Sequence, residues 1–476
     1  MQASRATALT KVLRTAAVRS SPSKRYISRA AATASTASTS SFQTSPTARG
    51  SRPSPIALST LPQQQQQPRR YVSSSSNEPL SKTPLYDLHV AHGGKMVPFG
   101  GFHMPVQYSG LSVSQSHIFT REHASIFDVS HMVQRIFSGP GAAKFLQRIT
   151  PSDCEGLAPF KSTLSALMTT DGQGGISDDT IVTRLPEDST FYVVTNAGCR
   201  EKDNAYLDQE ISKWNSENVE LQVKEERLDG RGLVALQGPQ AAEVLSEVLG
   251  GQDTKSVLFG ESFRAQIPGI NSELLIARGG YTGEDGFEIS ISAEDTVAVT
   301  EKLLSVGPEK VQLAGLGARD SLRLEAGMCL YGHDLNDSIT PVEAGLSWII
   351  PKDRRSADAG YYGSDVIAKQ LVPKSKGGSG VERRRVGLIV EGAPAREGAE
   401  IVSRAEEGKD TVKLGVVTSG CPSPSLGKNI AMGYVKDGFH KAGTEVDVLV
   451  RGRPRKAVIA KMPFVPTKYW KGIAPA

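Results

Sequence analysis

Between Leu274 and Ile291 the apolar and polar positions follow a pattern that predicts a hairpin. Three apolar residues (Leu274, Leu275, Ile276) lead into Gly279, Gly280, Gly283 and Gly286 with the acids Glu284 and Asp285, and Phe287, Ile289 and Ile291 then alternate with polar neighbours. Strand, tight glycine turn and strand is the reading. Successive side chains of a strand point to opposite faces, so Glu288 and Ser290 share the face that Phe287 and Ile289 do not. If the apolar pair packs on a core, Glu288 faces either water or a polar pocket. On its own an acidic residue favours water.

The same patterning organises the rest of the chain. A glycine-rich turn at Asp171–Gly175 leads into a strand carrying adjacent carboxylates, Asp178 and Asp179, of which only one can point into a given pocket. A second strand, Phe191–Ala197, carries Val194 and ends at Asn196, ahead of a helix beginning near Arg200. Gly139–Ile149 and Gly238–Leu249 read as helices with proline in the first turn, each following a strand, Val133–Phe137 and Val234–Gln237. Two related α+β units packed as neighbours are implied. Ile126–Met132 reads as a short strand bearing Asp128 and His131, the latter as a hydrogen-bonded structural histidine. Ser292–Asp295 has capping-box spacing ahead of a helix, and Ala314–Ala326, with Arg319, Asp320 and Arg323, is a helix ended by Gly327. The Lys-, Ser- and Gly-rich stretch 374–380 reads as a linker. From Arg384 to Trp470 short alternating strands separated by Gly and Pro turns predict a small β-barrel or sandwich.

Length changes the picture first: 476 residues exceed a single core. The organisation that follows is a leader at 1–77, two α+β units at 78–373, a linker at 374–380 and a barrel domain at 381–476. The net charge of +5 is unevenly placed. Residues 1–77 hold eleven Lys or Arg and no acid, leaving 44 basic against 50 acidic residues in the remainder. A basic, Ser-rich, acid-free N-terminus has the composition of a mitochondrial transit peptide, with Arg69-Arg70-Tyr71 as a processing point. The mildly acidic body gives no support to nucleic-acid binding through a general basic surface, and no apolar run is long enough to cross a bilayer, so no membrane partner is expected. Cys154, Cys199, Cys329 and Cys421 are far apart without zinc-type spacing, so reduced thiols and no metal are expected.

Familiar catalytic motifs are missing. Gly420 and Gly427-Lys428 are separated by six residues where a phosphate loop needs four, and there is no dinucleotide fingerprint, Gly-x-Ser-x-Gly elbow or His-Glu-x-x-His. What remains is glycine-rich turns that aim single acids, an arginine and an asparagine at a pocket.

Six pieces in order resemble one family, the aminomethyltransferase or T-protein of the glycine cleavage system. They are Pro98–Tyr108 (PFGGFHMPVQY), Phe127–Met132 (FDVSHM), Gly174–Asp179 (GGISDD), Gly280–Gly286 (GYTGEDG), Ala318–Gly327 (ARDSLRLEAG) and Pro422–Gly427 (PSPSLG). Thr180 stands where the family commonly has an apolar residue, and Phe102 where it commonly has Trp. The resemblance implies an α+β protein with three domains in a cloverleaf around a folate pocket, the third a β-barrel. It implies transfer of the methylene carbon of an aminomethyl group, carried on the lipoyl arm of H-protein, to tetrahydrofolate as co-substrate, with release of ammonia. By motif, Asp179 is the acid near the reactive folate nitrogens, Glu288 and Arg319 line the folate site, Tyr469 closes it, and Tyr281, Val194 and Asn196 are pocket walls. Two other readings share the fold: a folate-binding iron–sulfur assembly factor, and the folate-linked module of demethylases, whose flavin domain and fingerprint are missing here.

Overall fold

A computed structural model describes residues 79–404 and 410–472. The leader, its transit-peptide reading and the Arg69–Tyr71 processing point lie outside the described residues.

The alternation at 286–291 has a direct structural cause. Phe287, Ile289 and Ile291 are fully buried with Ile126, Val234, Leu236 and Ile276 under the helices Ala241–Val248 and Thr296–Leu304. These strands belong to a six-stranded sheet in the order 262–265, 274–278, 286–291, 232–237, 124–128, 311–313, antiparallel except for the last pair. A second, five-stranded antiparallel sheet runs 162–168, 176–184, 191–195, 133–138, 224–227. Its outer face is covered by the helices Ala142–Ile149 and Arg200–Glu217, packed through Phe145, Leu146, Leu207 and Trp214.

The inner faces of the two sheets meet through Phe127, Tyr192, Val194, Leu233 and Ala235, joined by Ala318 and Leu322 of the helix Leu316–Glu325. Glu288 pairs in register with Ala235 and Ala277, so it stands on this inner face. The strand–helix recurrence seen in the sequence is present, but its two units are interleaved. Strand 124–128 precedes the strands of the five-stranded sheet yet pairs with 232–237 in the six-stranded one. That strand ends at Asp128, and His131 follows in a turn closed by Met132 N–H donating to the Val129 carbonyl.

Residues 383–460 form a closed six-stranded barrel, which settles barrel against sandwich. The barrel joins the sheets through an ionic network on Glu325. Its carboxylate accepts from Arg121 Nη2 (2.8 Å), His117 Nε2 (3.1 Å), Ser425 Oγ (2.7 Å) and Ser423 Oγ (2.5 Å), the two serines coming from the barrel. Arg121 also donates to Glu284 (3.0 Å) and to the Thr282 carbonyl (2.8 Å), tying the central hairpin turn to the same point.

One local expectation is corrected. The capping box at Ser292 does not form: the cap is Asp295, whose carboxylate accepts instead from Ser272 N–H (2.9 Å), a neighbouring turn offering a better-placed donor. The stretch 374–380 contains a 3₁₀ turn and folds back, with Ser379 N–H on the Lys369 carbonyl (3.1 Å). The triplet Arg383-Arg384-Arg385 is engaged within the fold, with Glu343, Asp437 and the Ala344 carbonyl respectively.

Candidate functional site

The site is assembled around the turn 279–286. Gly280 has φ +152°, and a Cβ there would lie 2.0 Å from the Gln237 side chain, so only glycine lets the backbone pass this close. The turn is fixed by Gly279 N–H to the Gly286 carbonyl (3.0 Å) and Gly238 N–H to the Asp285 carbonyl (2.8 Å). It presents Tyr281, whose hydroxyl donates to the Cys329 carbonyl and whose ring lies under the Arg319 guanidinium, 4.7 Å from the centroid. A stacked guanidinium keeps its edges free for a planar acceptor.

Arg319 and Glu288 face one another across the sheet–helix boundary, each feeling the other's charge, without a hydrogen bond between them. Burial holds the Glu288 carboxyl above its usual range, with Arg319 pulling the other way. Burial likewise lowers Arg319, and its Nη1 is enclosed with no protein acceptor. Buried polar groups are ordinarily paired. Arg319 Nη1 is thus an enclosed donor without a protein acceptor, within the electrostatic reach of Glu288.

Asp178 and Asp179 point to opposite sides of their strand, as the period of two requires, but Asn196 touches both. Its Nδ2 donates to Asp178 Oδ1 and to Asp179 Oδ1, both at 2.9 Å, and its backbone N–H donates to Asp178 Oδ2 (2.8 Å). Asp178 is sealed inside, whereas Asp179 is partly open, and its charge influences the Tyr281 hydroxyl. Burial, then the charge of Asp178, pushes the Asp179 carboxyl up to about 7, offset in part by the Asn196 bond. Val194 is buried in the inter-sheet cluster, and its carbonyl accepts from the Thr180 hydroxyl (2.7 Å). The departure at 180 is thus satisfied internally. The departure at Phe102 places a smaller ring edge-on to His131 and under the Arg200 guanidinium.

Tyr281 lies against Arg319 and feels the charge of Asp179, Arg319 and Glu288 feel each other's charge, and Asn196 holds Asp179. Tyr469 stands apart from these contacts. Its ring stacks on Phe259 (4.1 Å), its hydroxyl is enclosed near Arg121 and Glu284, and it reaches the far side of the same turn. A cavity of about 310 Å³ between the sheets, with Tyr192, Ser290 and Arg231 in its wall, includes none of Asp179, Glu288 or Arg319. The enclosed, unpartnered donor of Arg319, rather than that concavity, marks the candidate site.

Two contributors escaped the sequence reading. Arg323 pairs with Asp334 (2.7 Å), which is also bonded by Ser419 Oγ (2.9 Å), and both charges bear on Tyr281. The spacing of Arg319 and Arg323, one helical turn apart, was the available signal. His131, read as a hydrogen-bonded structural residue, has an enclosed Nδ1 without a partner, and burial drives it down to about 4, so a neutral imidazole lies beside Arg319.

Known families match both the sheets and the barrel. Residues 85–354 match the model of the GCVT N-terminal domain, and residues 383–466 that of the glycine cleavage T-protein C-terminal barrel domain. The chain is 48% identical over 403 residues to a probable mitochondrial aminomethyltransferase of Schizosaccharomyces pombe, covering 85% of this chain and 97% of that protein. It is 47% identical over 403 residues to the mitochondrial aminomethyltransferase of Pisum sativum, covering 85% and 93%. Among solved structures, the glycine cleavage system aminomethyltransferase T of Bartonella henselae superposes with a TM-score of 0.72 at 39% identity, covering 82% of this chain and all of that one.

Proposed function

We propose, on the premise that this chain belongs to the glycine cleavage T-protein family, that Glu288 and Arg319 hold tetrahydrofolate while Asp179 accepts a proton as carbon is transferred to it. The chain is a mitochondrial aminomethyltransferase, and its family uses tetrahydrofolate as a substrate. The other two readings of the fold are set aside, because relatives 46–48% identical over 85% of the chain are aminomethyltransferases.

The observation that carries the site assignment is the pair of open groups, Glu288 and Arg319. A pterin edge offers a row of N–H donors that a carboxylate can take two at a time, and a carbonyl or carboxylate of the same ligand suits Arg319. The donor of the carbon is the aminomethyl group on the lipoyl arm of H-protein. In the overall exchange one carbon–sulfur and one carbon–nitrogen bond break, and two bonds form to the folate nitrogens. The two N–H hydrogens lost by folate end on the sulfur and on the departing nitrogen, giving a thiol and ammonia. Asp179 receives one of these protons in passing. A carboxylate whose pKa lies near 7 is matched to that work at neutral pH. Holding folate against the tethered carbon also supplies proximity, worth roughly 7–11 kcal/mol when the geometry is right. Tyr281, Val194 and Asn196 form the walls, and Tyr469 with Phe259 bounds the outer side of the turn.

The test is single-turnover ammonia release from aminomethyl-lipoyl H-protein, with and without tetrahydrofolate. Folate accelerates release by the parent chain. Glu288→Gln keeps the size of the side chain but removes the charge from its hydrogen bonds, at about 1.5–3 kcal/mol. Folate dissociation constants, read by fluorescence titration, rise roughly 10- to 100-fold by that measure. Unchanged affinity would remove Glu288 from the site.

A further inference from the structure

Behind Asp179 lies a buried carboxyl that the reaction does not touch. Asp203, in the first turns of the helix Arg200–Glu217, is fully enclosed, and neither of its oxygens has a hydrogen-bond donor of conventional geometry. Its carboxyl, that of Asp178 and the Cys199 thiol lie within 4.8 Å of one another. Two adjacent carboxylates in such a place cannot both stay ionised.

Two cations are near Asp203, and both are engaged elsewhere. Arg135 bonds Glu225 and Asn204, and Lys202 bonds the Ser177 carbonyl, Tyr331 and Asp337. They nonetheless favour negative charge at Asp203, as does the helix N-terminus on which it sits, and the Thr195 hydroxyl faces it from the neighbouring strand. Asp178 accepts from both the backbone N–H and the amide of Asn196, which favour charge there, but it shares that amide with Asp179, so charge on Asp178 opposes charge on Asp179. Burial raises both members of the pair, Asp203 to about 6 and Asp178 well above the usual carboxylate range.

We propose that Asp203 is a positioning residue for Asp179: Asp178 carries a proton and donates it in a hydrogen bond to Asp203, which keeps the single negative charge of the pair away from the reacting carboxylate. The donor that Asp203 lacks is then the Asp178 O–H. Asn196, bonded to a neutral neighbour, is left to orient Asp179. This rests on the reading of Asp179 as proton acceptor.

The test is the pH dependence of folate-dependent single-turnover ammonia release by the full chain, for the parent, Asp179→Asn, Asp203→Asn and Asp178→Asn. Loss of the acidic limb in Asp179→Asn assigns that limb to Asp179, and its persistence there would defeat the catalytic reading itself. With Asp203→Asn the amide donates to Asp178, which must now hold the charge. The limb then moves to higher pH by about one unit or more. With Asp178→Asn, where an amide imitates the protonated carboxyl, the limb stays within about half a unit of the parent, smaller than the shift a neighbouring charge causes. A limb unmoved by Asp203→Asn, a uniform fall in rate at every pH, or an upward shift in Asp178→Asn would each overturn the proposal. So would one equivalent of a divalent cation retained by the purified chain and lost with Asp203→Asn. The Asp178→Asn profile decides the matter should Asp203→Asn fail to fold.

Discussion

Replacing Asp179 by Asn lowers folate-dependent ammonia release by about 10²- to 10⁴-fold, the range for losing a positioned general base, while folate still binds. The amide keeps the shape of the carboxylate and can still accept from Asn196 through its oxygen. What it cannot do is take a proton. In the parent the rate rises with pH through about 7, because the acid form, favoured by burial, is unable to accept. The same shift predicts a stability change of opposite sense. A folded-state value above the ordinary 3.8 means that the folded chain binds this proton more tightly than the unfolded chain does. The stabilisation is complete below about 4 and is lost as pH rises to about 7. Asp179→Asn removes a buried charge at pH 8, so it melts at a higher temperature there than the parent, with little difference at pH 4. A slow variant that is also less stable at pH 8 would point to a structural aspartate and sink the assignment.

The second large effect concerns stability rather than chemistry. Arg121→Leu leaves Glu284 and Glu325 buried without their shared cation. Both carboxylates have fully enclosed side chains, and Arg121 is itself nearly so. Removing one partner of a buried ion pair costs about 3–5 kcal/mol, since the stranded charge is not resolvated. The apparent melting temperature and the denaturant midpoint both fall, and adding salt restores little because enclosed pairs are poorly screened. His117 and Lys468 also reach these carboxylates, and the variant takes up protons that the parent does not: stability lost at pH 8 is partly recovered at pH 5. Limited proteolysis reports where the damage lies. Cleavage between the sheets and the barrel, near residue 380, rises first, because Ser423 and Ser425 reach the sheets through Glu325. An unchanged midpoint would show that the network is electrostatically neutral in its effect, and that apolar packing and the other polar links, such as Arg383 to Glu343, join the barrel to the sheets.

Much of this was legible along the chain, and the reason is local. The period of two in 287–291 assigned Phe287 and Ile289 to one face and Glu288 to the other, because alternation follows from backbone geometry alone. The glycines of the 279–286 turn announced a close backbone approach. A small β domain, barrel or sandwich, was visible as short strands between turn residues, since turns are encoded by the residues that make them. Opposite faces for Asp178 and Asp179 followed from the same rule as Glu288.

What the sequence by itself determined, then, is the identity and facing of elements: which residues form strands, which side each side chain takes, and which motifs recur in order. Tertiary structure alone decided what each face meets. Whether Glu288 looked into water or a pocket depended on a second sheet, whose strands begin more than a hundred residues earlier. The chain order did not reveal that the two units interleave through strand 124–128, because pairing partners are chosen by burial and register across long separations. Asp203 reads as an ordinary helix residue until its helix packs on the strand of Asp178. Arg121 reads as a solvated arginine until Glu284 and Glu325 close on it. Charges and pKa values at the site depend on desolvation and on neighbours a few ångströms away in space, and neither is carried by any local window of sequence.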